Sequence, residues 1–233
     1  MNTREDISQA LRAALPIMLG YVAIGIPCGI LCDSIGLNAF QAFLLSYLFY
    51  SGAGQFMIPN MWLMGAPLAS IIASVSFVNT RQVLYSASLA PYAERASKPL
   101  AFLFAYSVTD ESYGVNIARF REGEWSVKRA TMVNLFSCTS WAVSNAVGVV
   151  LGSYLGIPLA IASFAMTSIF ICLAATQNLT AENVVAMVFA AAGVFACKLL
   201  GLGGVAVLLG AVAGVAAAFA FGSVRAKRAK REA

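Results

Sequence analysis

Apolar residues run in long blocks along the chain, and polar residues gather in short stretches between them. A helix crossing about 30 Å of hydrocarbon needs roughly 20 residues. Blocks of that order fall at 11–32, 39–63, 67–90, 99–118, 130–153, 159–177, 183–200 and 203–222. The pattern predicts an all-α polytopic membrane protein with about 7 or 8 transmembrane helices, forming a single transmembrane domain over residues 1–233. The seventh block is the shortest, so re-entrant segments are an alternative to an eighth span. Arg4 to Arg12 precede a block of full span length, with no small-residue cleavage site behind a short apolar core. The first block is therefore expected to stay as a span rather than be removed as a signal peptide.

Composition narrows the class further. The chain is 60% hydrophobic and 11% charged, against roughly 45–50% and 25% in soluble domains. That leaves too few charges to cover a soluble surface and too much apolar content for disorder. The five Cys are scattered and odd in number, which argues against a secreted disulfide scaffold. His is absent, so a His-based dyad, metal site or proton relay is excluded. No Gly-rich phosphate loop of Walker type is present, and no cofactor or metal is expected. Cys28 and Cys32 read as small apolar residues.

Most of the charges mark the ends of spans. Arg4, Glu5, Asp6 and Arg12 lie at the N-terminus, Glu94, Arg95 and Lys98 in one polar stretch, and Arg119 to Arg129 in another. Residues 223–233 form a basic tail. Lys/Arg bias and eight spans put both termini and the 119–129 loop on the cytoplasmic side, with the 91–98 loop as the exception. The tail reads as an anchor near anionic lipid; it is too short, and too poor in aromatics, for a nucleic-acid role.

The candidate halves 8–120 and 128–222 resemble a weak internal repeat. Ser46–Gln55 can be laid on Ser168–Gln177 without a gap, and Gly-rich stretches precede both. Such repeats occur in secondary transporters, with the substrate held at their interface near the midplane. Parallel and inverted arrangements both remain open. Ser51-Gly52-Ala53-Gly54-Gln55, with Pro59 behind it, weakens helix inside a span. It reads either as a discontinuous helix facing substrate or as close packing through small residues.

Three charges fall inside apolar sequence: Arg81, Asp110 and Glu111. Arg81 lies about ten residues before Pro91, and Asp110 about twelve after Lys98. At 1.5 Å per residue the two would sit roughly 15 and 18 Å deep. A hairpin across the 91–98 loop would bring them together as an ion pair, lowering the desolvation cost of each. Such groups default to function, and a purely structural pair is the alternative. Asp110 and Glu111 are adjacent and point about 100° apart on a helix, so they cannot face one partner. A carboxyl poised between burial and an adjacent Arg could take up and release a proton. A channel would more often repeat one charge around a ring, and an intramembrane enzyme would need a base and nucleophile that this set lacks. An assembly subunit would use the same pair as glue.

Several motifs together resemble the AzlC family of bacterial inner-membrane proteins. They are Gly20-Tyr21 with Gly25 and Gly29, then Ser51-Gly-Ala-Gly-Gln55-Phe56, Asn79-Thr-Arg81-Gln-Val-Leu-Tyr85-Ser-Ala-Ser88-Leu and Thr109-Asp110-Glu111. The resemblance runs from about residue 8 to 222. It implies the large subunit of an exporter of leucine, isoleucine, valine and sometimes methionine, working with a small AzlD-type membrane subunit. Family members often carry His after the Arg; this chain has Gln82, which shifts proton handling to Asp110 and Glu111. Gly52, Gly54, Gln55, Asn79, Arg81, Tyr85 and Gln177 are then the expected substrate-binding residues. A zwitterion needs a cation or helix N-terminus for its carboxylate and an anion for its ammonium. Arg81 and the Ser51–Gln55 segment can supply the first, and Asp110 or Glu111 the second.

Overall fold

The computed structural model describes residues 3–123, 125–175, 179–202 and 206–232. Gln177, one of the expected substrate-binding residues, lies outside them. The described residues form ten helices and no strand: α1 Thr3–Ser34, α2 Ala39–Leu48, α3 Gly52–Leu63, α4 Leu68–Ala93, α5 Lys98–Tyr106, α6 Asp110–Glu122, α7 Val127–Leu155, α8 Leu159–Ala175, α9 Ala181–Leu199 and α10 Ala206–Glu232. The protein is an all-α polytopic membrane protein. By length and composition α1, α7 and α9 are each apolar enough to cross a membrane. The blocks 39–63 and 99–118 are each divided in two, as α2 with α3 and α5 with α6. Each pair together has enough residues to cross about 30 Å.

The chain groups into two compact units. The first holds residues 1–60 and 78–168, the second 61–77 and 169–233. In the first unit α1 and α7 touch backbone to backbone. A Cβ added at Gly29 would lie 2.8 Å from the Gly148 Cα, and one at Gly148 would lie 2.9 Å from the Gly29 Cα. A Cβ added at Gly25 would lie 2.7 Å from the Ser144 Cβ. Close approach through small residues supplies the dispersion energy that holds helices together in lipid, where no hydrophobic gradient exists between them. In the second unit α9 and α10 use the same device: a Cβ at Gly193 would lie 3.0 Å from the Gly210 Cα. The basic tail continues α10 as helix, and Arg225 donates to Glu182 at 3.0 Å.

The first break spans Phe49 to Ser51, upstream of the glycines and well before Pro59, which α3 absorbs. Freed backbone carbonyls in hydrocarbon need donors. The Tyr106 hydroxyl meets the Tyr47 and Leu48 carbonyls at 3.0 and 2.7 Å, and Gln82 Nε2 donates to the Tyr50 carbonyl at 3.0 Å. Ser51 Oγ accepts from the Gly54 N–H at 3.1 Å. Gln55 is fully buried and ties the break to its neighbours. Its Nε2 donates to Ser46 Oγ at 2.9 Å, and its Oε1 accepts from Trp141 Nε1 of α7.

The second break, Ser107 to Thr109, revises the expectation of one continuous span over 99–118. Asp110 and Glu111 lie in the first turn of α6 rather than inside a longer helix. The cause is local. Thr109 caps α6, its Oγ1 facing the Ser112 N–H while Ser112 Oγ accepts from the Thr109 N–H. A reciprocal cap of this kind starts a helix and stops the preceding one from propagating. Two carboxylates in a first turn also suit the positive end of the helix dipole. On the α5 side, Asn134 Nδ2 reaches the Phe104 carbonyl and Ser107 Oγ at 3.3 and 3.2 Å.

Two outcomes are expected. Gly148→Val forces α1 away from α7 and costs on the order of 1–3 kcal/mol, read as a lower unfolding midpoint in detergent. Trp141→Phe leaves the Gln55 carbonyl buried without its donor, at about 1–3 kcal/mol; the same measurement detects it, and Gln55→Leu in the Trp141→Phe background recovers part of the loss.

Candidate functional site

Helix α4 carries Asn79, Arg81, Gln82 and Tyr85 within two turns, and the two breaks are where their side chains end. Asn79 Oδ1 accepts from Ser51 Oγ at 2.6 Å, and Gln82 reaches Tyr50, so α4 closes the first break. Arg81 and Tyr85 reach the second. Arg81 Nη1 lies 2.9 Å from Asp110 Oδ2, and the Tyr85 hydroxyl donates to Asp110 Oδ1 at 2.6 Å. Both carboxylate oxygens of Asp110 are thereby engaged from one helix, the i,i+4 spacing of Arg81 and Tyr85 placing them on one face. The Arg81–Asp110 pair expected from sequence depth is present, with side chains 28% and 25% exposed. Arg81 Nε is buried and has no hydrogen-bond partner. A guanidinium has five donors, so this one keeps capacity toward a further anion.

Glu111 faces elsewhere, as expected for adjacent helix positions. The Tyr21 hydroxyl of α1 donates to its Oε2 at 2.6 Å and lies 2.9 Å from Thr109 Oγ1. The Tyr21 ring stands edge-on to Trp141 at 5.3 Å between centroids. Tyr85 stacks on Tyr113 at 4.6 Å, which fixes the phenol that holds Asp110. The arrangement is two carboxylates at one helix N-terminus: Asp110 is paired with a cation and accepts from a phenol, and Glu111 accepts from a phenol.

Of the residues expected to bind substrate, Asn79, Arg81 and Tyr85 share α4, and Arg81 and Tyr85 converge with Asp110. Gly52 and Gly54 lie at the start of α3. A Cβ at Gly52 would meet the Trp141 ring at 3.6 Å, and one at Gly54 the Phe49 ring at 2.8 Å, so both glycines accommodate aromatic rings. Gln55 is occupied as a strut between Ser46 and Trp141. Sequence reasoning gave no role to Thr109, Tyr106 or Asn134. The cap pattern Thr109-Asp110-Glu111-Ser112 was visible in the sequence and marks the second break; the other two carry no local signal.

A polar chain leads from the second break to the charged end of the unit. Asn134 Oδ1 accepts from Asn116 Nδ2 at 2.9 Å, and Asn116 Oδ1 from Trp125 Nε1 at 3.1 Å. Arg119 and Arg129 lie 5.8 and 6.0 Å from the centre of the Trp125 ring. Arg129 Nε in turn donates to Asp6 at 2.7 Å. Asp6, one of the charges expected to mark the N-terminal end of the first span, is buried and ion-paired with Arg129 and Lys128.

The chain is 30% identical over 183 residues to the branched-chain amino acid transport protein AzlC of Bacillus subtilis strain 168, covering 73% of this chain and 69% of that protein. An uncharacterized membrane protein of Archaeoglobus fulgidus is 28% identical over 204 residues, covering 86% and 89%. The inner membrane protein YgaZ of Escherichia coli K12 is 28% identical over 148 residues, covering 62% and 60%. No solved structure gives a significant match. The family model described as AzlC protein matches residues 16–155, a segment that contains every residue of the two breaks and of the Arg81–Asp110–Glu111 set. The chain belongs to the AzlC family of membrane transport proteins.

Proposed function

We propose that the chain is a secondary transporter subunit that exports branched-chain amino acids, leucine, isoleucine and valine, and also methionine, across the bacterial inner membrane in exchange for protons. Both termini lie in the cytoplasm, and a small AzlD-type subunit completes the transporter. The observation that carries the reading is the Arg81–Asp110–Tyr85 cluster, one quarter exposed and set between two helix breaks. The B. subtilis relative's name supplies the substrate class.

The chemistry follows from the pairing. With Asp110 ionised, Arg81 and Tyr85 are held by it and the site is closed on itself. On the cytoplasmic side the substrate opens this pair: its carboxylate takes the Arg81 guanidinium, with its spare Nε, and its ammonium takes the carboxylates of Asp110 and Glu111 at the α6 N-terminus. On the outer side a proton taken by Asp110 removes the charge that holds the ammonium, and the substrate leaves. The protonated site then turns inward and loses its proton to the cytoplasm, which restores the Arg81–Asp110 pair. Competition of proton and ammonium for one carboxylate, each carried in the opposite direction, exchanges the two without an added cofactor.

In cells loaded with a leucine-containing dipeptide, the chain together with its small partner should drive leucine efflux that a protonophore abolishes. Arg81→Ala and Asp110→Asn should each lower efflux roughly 10- to 100-fold, the range for losing one charge-assisted hydrogen bond, with insertion unchanged. Efflux by Asp110→Asn that kept its full dependence on the proton gradient would remove Asp110 from the coupling role. Full efflux from both variants would overturn the site.

A further inference from the structure

Two cavities lie side by side between α4 and α5. The first, about 320 Å³, opens at the first break beside Tyr50, Ser51, Gln82 and Tyr106. The second, about 260 Å³, is walled by Leu89, Ala90, Phe104 and Val108 and reaches Glu94. Ser86 and Ala105 line both cavities, and they touch: Ser86 Oγ donates to the Ala105 carbonyl at 3.0 Å. One hydrogen bond and two small side chains thus form the wall between the chambers.

The geometry suits passage better than storage. Gln82, Ser86 and Ala90 recur every four residues as a stripe along one face of α4, and Glu94 follows in the turn just past the helix end. From Gln82 to Ala90 the stripe rises roughly 12 Å at 1.5 Å per residue, over a third of the about 30 Å hydrocarbon thickness. Each chamber is near the lower bound of small-ligand pockets, about 300 Å³, enough for one small solute. The first chamber has polar groups at the break, and the second is almost wholly apolar except for Ser86 and Glu94 at its two ends. Arg81 and Tyr85 stand on the adjoining face of the same helix. Leu89, Phe104 and Val108, the inner wall of the second chamber, belong to the buried cluster on which Tyr85 and Tyr113 pack.

Resting on the proposed export of aliphatic amino acids, we infer that the α4–α5 crevice is the route by which the substrate leaves the Arg81–Asp110 site, and that Ser86 and Ala105 form its constriction. The aliphatic side chain travels along Leu89, Ala90 and Val108, and the ammonium meets Glu94 at the end. The size of the residues at 86 and 105 sets which side chains pass.

Two readouts test this. In a background with the five native Cys replaced, Ser86→Cys and Ala90→Cys should react with a small membrane-impermeant thiosulfonate from at least one side of the membrane, and saturating leucine should slow labelling of Ser86→Cys severalfold. Absence of labelling from both sides overturns the route, whatever the substrate proves to be. In transport, Ala105→Leu should lower leucine efflux at least tenfold and valine efflux less, whereas Leu84→Phe, on the exposed side of the same helix, should leave both unchanged. Ala105→Leu efflux within twofold of wild type overturns the constriction. A wild-type chain that moves no leucine while both Cys variants are labelled counts against the substrate reading and upholds the route.

Discussion

The backbone contact of α1 with α7 at Gly29 and Gly148, beside the close fit of Gly25 to Ser144, is the constraint on which the first unit depends. In lipid, helices gain nothing from hiding apolar surface, so association rests on close packing and on polar groups that find partners between helices. The glycines let the two longest helices of the unit approach until backbone meets backbone. Each then presents a fixed set of side chains to the broken helices. α1 brings Tyr21 to Thr109 and Glu111, and α7 brings Trp141 to Gln55 and Asn134 to Ser107. Were the helices farther apart, neither break could be closed from both directions.

Unwound backbone is tolerated in a membrane only where protein supplies the missing hydrogen bonds. Here the first break is closed by Tyr106, Gln82 and Ser51, and the second by Asn134 and the Thr109–Ser112 cap. These are side chains from four different helices, so the breaks are properties of the assembled unit as much as of their own sequence. The outcome is a helix N-terminus carrying two carboxylates beside a cation whose helix is locked to the other break. α4 thereby contacts both breaks at once, through Asn79 and Gln82 at the first and Arg81 and Tyr85 at the second.

The pattern of apolar blocks already gave the class, and the discontinuity near Ser51–Gln55 was legible as glycines inside a span. The pairing of Arg81 with Asp110 was legible too, because two spans joined by a short loop place matching depths together. The division of 99–118 was not read, although Thr109-Asp110-Glu111-Ser112 carries a capping pattern, because apolar content alone was used to bound the span. Gly25 and Gly29, which carry part of the family resemblance in the sequence, pack against Ser144 and Gly148 across the α1–α7 contact. Asp6 shows the same limit: a charge near a terminus reads as the edge of a span until Arg129 and Lys128, distant in sequence, are brought to it.

By itself, then, the sequence determined the helical class, the membrane environment and the shortlist of charges inside apolar sequence. Those follow from local hydropathy and from the cost of burying charge, which act residue by residue. Tertiary structure alone decided which charges are neutralised, which polar residues are struts and where the cavities lie. Gln55 illustrates the difference. Its position in a span marks it as exceptional, but only the arrival of Trp141 from α7 turns it into a bridge, because a hydrogen bond is a relation between two positions that hydropathy along one chain cannot encode.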